Sequence, residues 1–266
     1  MLHPSPHQRL PGEPVVDIRG MTCGYEKQEV LTDVTLRIMP GDFVGLLGPS
    51  GSGKTTLLRS VLGAVNIYGG EVVVYGVSTV SKRPRVGYVP QLETIDWNFP
   101  VTVREVVMMG RTMENRLFPW YRKEEKELAD QMMDRLGILQ LAGRHIRELS
   151  GGQQQRVFLA RALAQDAKVY LMDEPFAGVD AATERAIIDI LMELRAQGKT
   201  ILVVHHDLQT VTRYFDWLIM LNMRVVASGP TEEVFNDTTL NKTYGGRLTV
   251  LSQAVQAVQD YERGRG

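Results

Sequence analysis

Gly48-Pro49-Ser50-Gly51-Ser52-Gly53-Lys54-Thr55, with Thr56 behind it, fits the pattern Gly-x-x-x-x-Gly-Lys-Thr without a mismatch. The chemistry of such a stretch is phosphate binding. Glycines at 48, 51 and 53 permit a tight turn that converges backbone N–H groups on phosphate oxygens at a helix N-terminus, where the helix dipole favours negative charge. Lys54 is placed to reach the β- and γ-phosphates of a nucleotide, and the Thr55 hydroxyl to ligate a bridging Mg2+. Three further polar clusters follow apolar runs: Gln91 after Val86 to Val89 and Pro90, Asp173-Glu174 after Val169 to Met172, and His205-His206-Asp207 after Thr200 to Val204. A fourth, Leu149-Ser150-Gly151-Gly152-Gln153, opens a helical pattern with glycines, which also points to phosphate.

These residues need a scaffold, and the hydrophobic pattern supplies an alternating α/β one. Phe43 to Leu47 reads as a buried strand and Thr55 to Leu62 as a helix, so the phosphate-binding stretch lies between strand and helix. Val169 to Met172 is a continuous apolar run, expected of a strand buried on both faces of a parallel sheet, and it delivers Asp173 and Glu174 at its carboxyl end, where such sheets bind ligands. A helix from Ala181 to about Ala196 and strands Thr200 to Val204 and Trp217 to Leu221 continue the alternation. Ahead of the phosphate loop, Val15 to Ile18 and Val34 to Ile38 read as strands around a turn at Cys23-Gly24-Tyr25, with Glu71 to Tyr75 a further strand. From Val101 to about Leu149 the pattern is helical: Val103, Val106, Val107 and Met109 share one face, and Leu128, Met132 and Leu136 recur in the charged stretch from Lys123. After Gln153, Val157, Ala160 and Ala164 share a face, with Arg156 and Arg161 turned elsewhere.

The expected fold is therefore α/β: a phosphate-loop (RecA-like) core with a mostly parallel sheet, an N-terminal antiparallel β part and an inserted helical subdomain. The expected division is a flexible tail over 1–14, a nucleotide-binding domain over 15–250 with its helical subdomain at about 93–163, and a partly helical tail over 251–266. In that tail Leu251, Ala254, Val255 and Val258 share a helical face.

Composition narrows the class. With 266 residues, 44% of them hydrophobic, the chain has material for a substantial core. A formal net charge of −1 leaves no footprint of a nucleic-acid binder. The one cysteine, Cys23, can form no internal disulfide and is expected to be a small buried hydrophobe. No window of eighteen apolar residues and no signal-peptide pattern at Met1 point to a cytoplasmic protein. His3 and His7 lie in a Pro-rich stretch without a scaffold for a metal.

Taken in order, the phosphate loop, Gln91, Leu149 to Gln153, Asp173-Glu174 and His206 resemble the nucleotide-binding subunit of the ATP-binding cassette (ABC) transporter family, from about Val15 to Val250. Leu149 to Gln153 match the family's Leu-Ser-Gly-Gly-Gln signature at every position. The resemblance implies ATP and Mg2+ as cofactors, with Thr55, Gln91 and Asp173 around the metal. It further implies Glu174 as general base, Gln91 as sensor of metal and attacking water, and His206, which directly precedes Asp207, as the switch residue on the γ-phosphate, while His205 reads as a supporting or core residue. Tyr25 takes the place of the adenine-stacking aromatic. Asp180 matches the loop that crosses to a partner subunit, although Ala177-Gly178-Val179-Asp180 departs from the commoner Ser-x-Leu-Asp. The implied assembly is a homodimer in which Ser150, Gly151, Gly152 and Gln153 of one copy close over the phosphate loop of the other.

Asp96-Trp97-Asn98-Phe99-Pro100, then Val106 to Arg111, is similar to the manganese, zinc and iron importer branch, and Val203 to Leu208 and Tyr214-Phe215-Asp216 are similar to its manganese members. Trp97 and Phe99 belong either to the lobe's own core or to the docking surface for a membrane partner. The implied function is the ATPase subunit of a manganese(II) importer on the cytoplasmic face of the membrane, working with permease subunits and, through them, an extracytoplasmic metal-binding protein, and with no nucleic acid. Zinc or iron import, export, and a soluble cassette ATPase acting on nucleic acid are the alternatives; against the last stand the missing heptad insertion and basic stripe.

Overall fold

The computed structural model describes residues 12–95, 97, 99–111 and 121–245. In chain order the regular elements are β1 (Val16–Tyr25), β2 (Gln28–Ile38), β3 (Phe43–Leu47), α1 (Lys54–Val61), β4 (Asn66–Val74), β5 (Val77–Ser78) and β6 (Gly87–Val89). Then come α2 (Val103–Met109), α3 (Lys123–Arg135), α4 (Gly151–Ala164), β7 (Val169–Asp173), α5 (Ala181–Ala196) and β8 (Thr200–Val204). The described chain closes with α6 (Val211–Tyr214), β9 (Trp217–Asn222), β10 (Arg224–Pro230), α7 (Thr231–Val234) and α8 (Asp237–Tyr244).

Two sheets form. β2-β1-β4-β5 is antiparallel, and the larger sheet has the order β10-β9-β3-β8-β7-β6, in which only the β10–β9 pair is antiparallel. Every residue of β3, β7 and β8 is buried, as continuous apolar runs in a covered parallel sheet require. Their side chains alternate between two cores. Phe43, Leu47, Tyr170, Met172, Ile201 and Val203 pack towards the helical side, while Val44, Leu46, Val169, Leu171, Leu202 and Val204 join α1 and the antiparallel sheet. The helices start on local chemistry: Thr102 with Glu105 and Ser150 with Gln153 make capping boxes, and Asp180 caps α5.

Several expectations change. β1 runs straight through Cys23 and Gly24, and the turn falls at Glu26 and Lys27, because Gly24 packs so closely on the returning strand that a Cβ there would lie 1.9 Å from the Gln28 carbonyl. On α2 the buried face is Val103, Val106, Val107 and Met108, with Met109 44% exposed. Arg161 does not face away: its Nη2 donates to the Tyr88 carbonyl at 3.0 Å and its guanidinium lies 4.7 Å from the Phe158 ring centre. β10 and α8 had no clear pattern in sequence, the first being a half-exposed edge strand and the second a short helix with one buried residue, Thr243. Cys23 is fully buried with no disulfide, and burial pushes its thiol up to about 11. His3, His7, Asp96, Asn98 and the segment from Leu251 onward lie outside the described residues.

Gly87 on β6 lies against Tyr170 of β7, and a Cβ there would come within 2.4 Å of the ring. Gly87→Ala is expected to cost roughly 1–3 kcal/mol through overpacking, read as a lowered denaturant midpoint at constant m-value.

Candidate active site

The adjacency of β3, β8, β7 and β6 sets their carboxyl ends side by side, and each ends in polar chemistry. β3 runs into the phosphate loop. A Cβ at Gly48 would lie 2.1 Å from the Leu221 carbonyl, and Gly53 holds φ at 95° with its α-carbon facing Leu31, so the loop is threaded between the strands and the start of α1 where side chains have no room. The Met223 N–H donates to the Ser52 carbonyl at 2.9 Å and straps the loop to the β9–β10 turn. Lys54 is buried and arches back, its Nζ donating to the carbonyls of Gly48 and Pro49 at 2.8 and 2.9 Å. Burial holds its pKa below the ordinary value, against the opposing pull of Glu174 and Asp173.

A cleft of about 350 Å3 opens over this loop, lined by Val30, Ser50, Gly51, Gly53, Lys54, Thr55, Thr56, Gln91, Glu174 and His206. Glu174 follows β7 with φ at 55°, a conformation that few residues with a side chain adopt. Its Oε1 lies 2.6 Å from His206 Nε2, and its Oε2 accepts from Gln91 Nε2 at 3.4 Å. Three residues from three strand ends thus meet in one polar cluster. Asp173, the residue before Glu174, is 1% exposed, and among the described residues neither of its carboxylate oxygens has a well-formed hydrogen bond. Burial raises its carboxyl pKa, opposed by the Thr55 hydroxyl, Arg59 and Lys54.

Other sequence-predicted residues are placed apart. Tyr25 ends β1, 39% exposed, and its hydroxyl accepts from Arg59 Nη1 at 3.1 Å. Arg59, on α1, was not singled out from sequence; a lone guanidinium on a helix otherwise packed on the core is the signal that marks it. Ser150, Gly151, Gly152 and Gln153 start α4 and Asp180 starts α5, and none of these lines the cleft. Ser150 and Gln153 bond each other's backbone N–H at 3.0 and 3.4 Å, and Asp180 Oδ1 accepts from Ala182 and Thr183 N–H at 3.0 and 2.9 Å. Trp97 packs edge-on to Phe158 at 6.1 Å, as part of the lobe's core, whereas Phe99 is 60% exposed.

The phosphate loop, the polar strand ends and the capped Leu-Ser-Gly-Gly-Gln helix together define an ATP-binding cassette. The profile of the ABC transporter family matches residues 31–177. The manganese transport system ATP-binding protein MntB of Bacillus subtilis (strain 168) is 50% identical over 242 residues, 91% of this chain and 97% of that protein. The zinc transport system ATP-binding protein TroB of Treponema pallidum (strain Nichols) is 47% identical over 234 residues, 88% of each chain. Among solved structures, the ADP conformation of MJ1267, an ATP-binding cassette of an ABC transporter, superposes with a TM-score of 0.72 at 27% identity, covering 89% of this chain and 100% of that one. The chain belongs to the ABC transporter family and is an ATPase.

His205, 4% exposed, has its pKa held below 6.5 by burial, with Asp207 opposing and His206 reinforcing the shift. Phe176 and Phe215 bring no charge to it; Tyr214 brings Glu184, bonded at 3.1 Å, and Arg213. A histidine lowered on folding contributes stability that is complete above the unfolded value and lost as pH falls through the folded one. Stability is therefore expected to decline on acidification below pH 6.5, and to decline less in His205→Gln, as denaturant titrations at a series of pH values will show.

Proposed function

We propose that this chain is the ATP-hydrolysing subunit of an ABC importer for a divalent transition metal, manganese(II), driving a separate membrane permease. The observation that carries the hydrolytic part is the meeting of Glu174, His206 and Gln91 over the phosphate loop. In this reading Glu174 takes a proton from the water that attacks the γ-phosphorus, ADP leaves, and His206 and Gln91 orient the water and the γ-phosphate. Lys54 exchanges the Gly48 and Pro49 carbonyls for phosphate oxygens, which restores partners to a buried ammonium. Tyr25, steadied by Arg59, offers its face to adenine.

The residues present fit Mg2+. A buried carboxylate without good hydrogen bonds among the described residues, at Asp173 beside the Thr55 hydroxyl, with Thr55 and Gln91 both lining the cleft, is an oxygen donor set suited to a hard cation. When bound, Mg2+ would neutralise charge on the β- and γ-phosphate oxygens.

One copy supplies half a site. A Cβ on Gly151 would meet nothing within 4 Å and one on Gly152 only Val179 at 4.0 Å, so packing within the chain does not call for glycine at either position. Close approach of a second copy's nucleotide does. A homodimer with Ser150 to Gln153 and Asp180 facing the partner's nucleotide follows, and MJ0796, an ATP-binding cassette at 27% identity and TM-score 0.70 over 81% of this chain and 98% of that one, is dimeric when bound to ADP and Pi.

Manganese is favoured by the relatives named for it, MntB of Bacillus subtilis above all; the 47% identity to TroB supports zinc as a second reading. Among the described residues there is no cluster of three or more His, Cys, Asp or Glu that could hold a metal ion; in this reading the cargo passes through the permease, delivered by an extracytoplasmic binding protein. Among the described residues no helix is long and apolar enough to cross a membrane, and a peripheral site at the cytoplasmic face is proposed, with exposed Phe99 on the docking side.

Glu174→Gln is expected to keep ATP binding, to lower kcat by roughly 10²–10⁴-fold and to trap the dimer, checked by turnover and size-exclusion chromatography with ATP. The complex reconstituted with its permease and binding protein is expected to show ATPase activity stimulated by Mn2+ more than by Zn2+ or Fe2+. Stimulation by zinc alone would move the assignment to zinc, and recovery from cells with nucleic acid but no membrane protein would overturn the importer reading.

A further inference from the structure

The hydrolytic pair has a buried neighbour with no role in the reading above. His205 precedes His206 and is 4% exposed. Its Nε2 lies 2.7 Å from Thr210 Oγ1. That hydroxyl also lies 3.2 Å from the Asp207 carbonyl and 3.3 Å from Asp207 Oδ2, so Thr210 links the ring to the start of its own turn. Asp207 Oδ1 accepts from the Gln209 N–H at 2.9 Å, and the His205 N–H donates to the Leu46 carbonyl of β3 at 3.2 Å. The segment from His205 to Thr210 is thereby closed on itself and tied to the central strand, with His206 presented outward.

The ring's other contacts reach the second catalytic segment. Phe176, two residues beyond Glu174, stands edge-on to the imidazole at 5.5 Å and 85°, and Phe215 and Tyr214 lie at 5.3 and 6.0 Å. One buried ring is the shared contact of the two segments that carry Glu174 and His206. A phenylalanine there would fill the aromatic cluster but leave Thr210 without its ring partner; a threonine or alanine would leave a void among rings that pack edge to face.

We infer that His205 is a positioning residue: set between Thr210 and Phe176, it fixes the separation of the two segments and so the 2.6 Å contact of Glu174 with His206. The inference rests on the reading of Glu174 and His206 as the hydrolytic pair. It concerns turnover and not nucleotide binding, because Lys54 and the phosphate loop are carried by β3 and α1 and not by the segments that His205 joins.

The test uses the full-length chain, with kcat, affinity for a non-hydrolysable ATP analogue and Tm measured for each variant. His205→Ala is expected to lower kcat roughly 10- to 100-fold with analogue affinity changed by less than about twofold. His205→Gln, whose amide can donate to or accept from Thr210, should recover most of the kcat. His205→Phe and Thr210→Val, which remove the same hydrogen bond from either side, should resemble each other and not add in the double variant. If His205→Ala does not fold, Thr210→Val carries the comparison. An unchanged kcat in the variants that fold, or parallel losses of kcat and affinity, overturns the assignment. Glu174→Gln in the same series separates the two layers: normal turnover there overturns the hydrolytic pair and this inference with it, whereas a dead Glu174→Gln beside an active His205→Ala overturns only the role of His205.

Discussion

Burial of the parallel strands on both faces is the constraint on which the rest depends. β3, β7 and β8 have no exposed residue, so their backbone groups must pair with neighbouring strands. The order β3-β8-β7-β6 satisfies that pairing. Once it is set, four chain reversals of different composition emerge along a single edge: a glycine-rich loop, a histidine pair, an acidic pair and a Pro-Gln step. The site is the polar margin of an apolar core, and its precision is inherited from strands that cannot shift register without exposing one of the two cores.

The margin carries strain and unmet polarity that a purely structural edge would not keep. Glu174 holds a positive φ, Lys54 is buried with its ammonium on two loop carbonyls, and Asp173 is buried with its oxygens poorly partnered among the described residues. Strained backbone and buried polar groups of this kind gather at ligand sites, where the surrounding structure over-determines them.

Capping chemistry has a double use. Ser150 and Gln153 satisfy part of the open N–H groups at the start of α4, and Asp180 part of those at the start of α5, while the proposed dimer would set the same residues against a partner's nucleotide. A capped helix start still leaves free N–H groups at its first turn, and glycines at 151 and 152 keep side chains out of the way. One stretch of sequence can therefore build a stable helix within one chain and still offer an anion site to another.

By itself the sequence determined what depends on near neighbours: the phosphate loop between strand and helix, the buried strands from Phe43, Val169 and Thr200, the helix from Ala181 to Ala196, and the polar residue at each strand end. Runs of apolar residues, glycines and caps act within a few positions, so they are legible without coordinates. Less was readable where elements are short, half-exposed or interrupted, as at β10, α8 and the turn after Tyr25, since there the pairing strand decides and the local pattern does not. Only the tertiary structure decided that Glu174 meets His206 and Gln91, that Arg59 holds Tyr25, and that His205 lies between Thr210 and Phe176. All of these but the local His205–Thr210 bond join residues far apart in the chain, and strand order brings them together; their geometry is a property of the packed sheet and of no single segment.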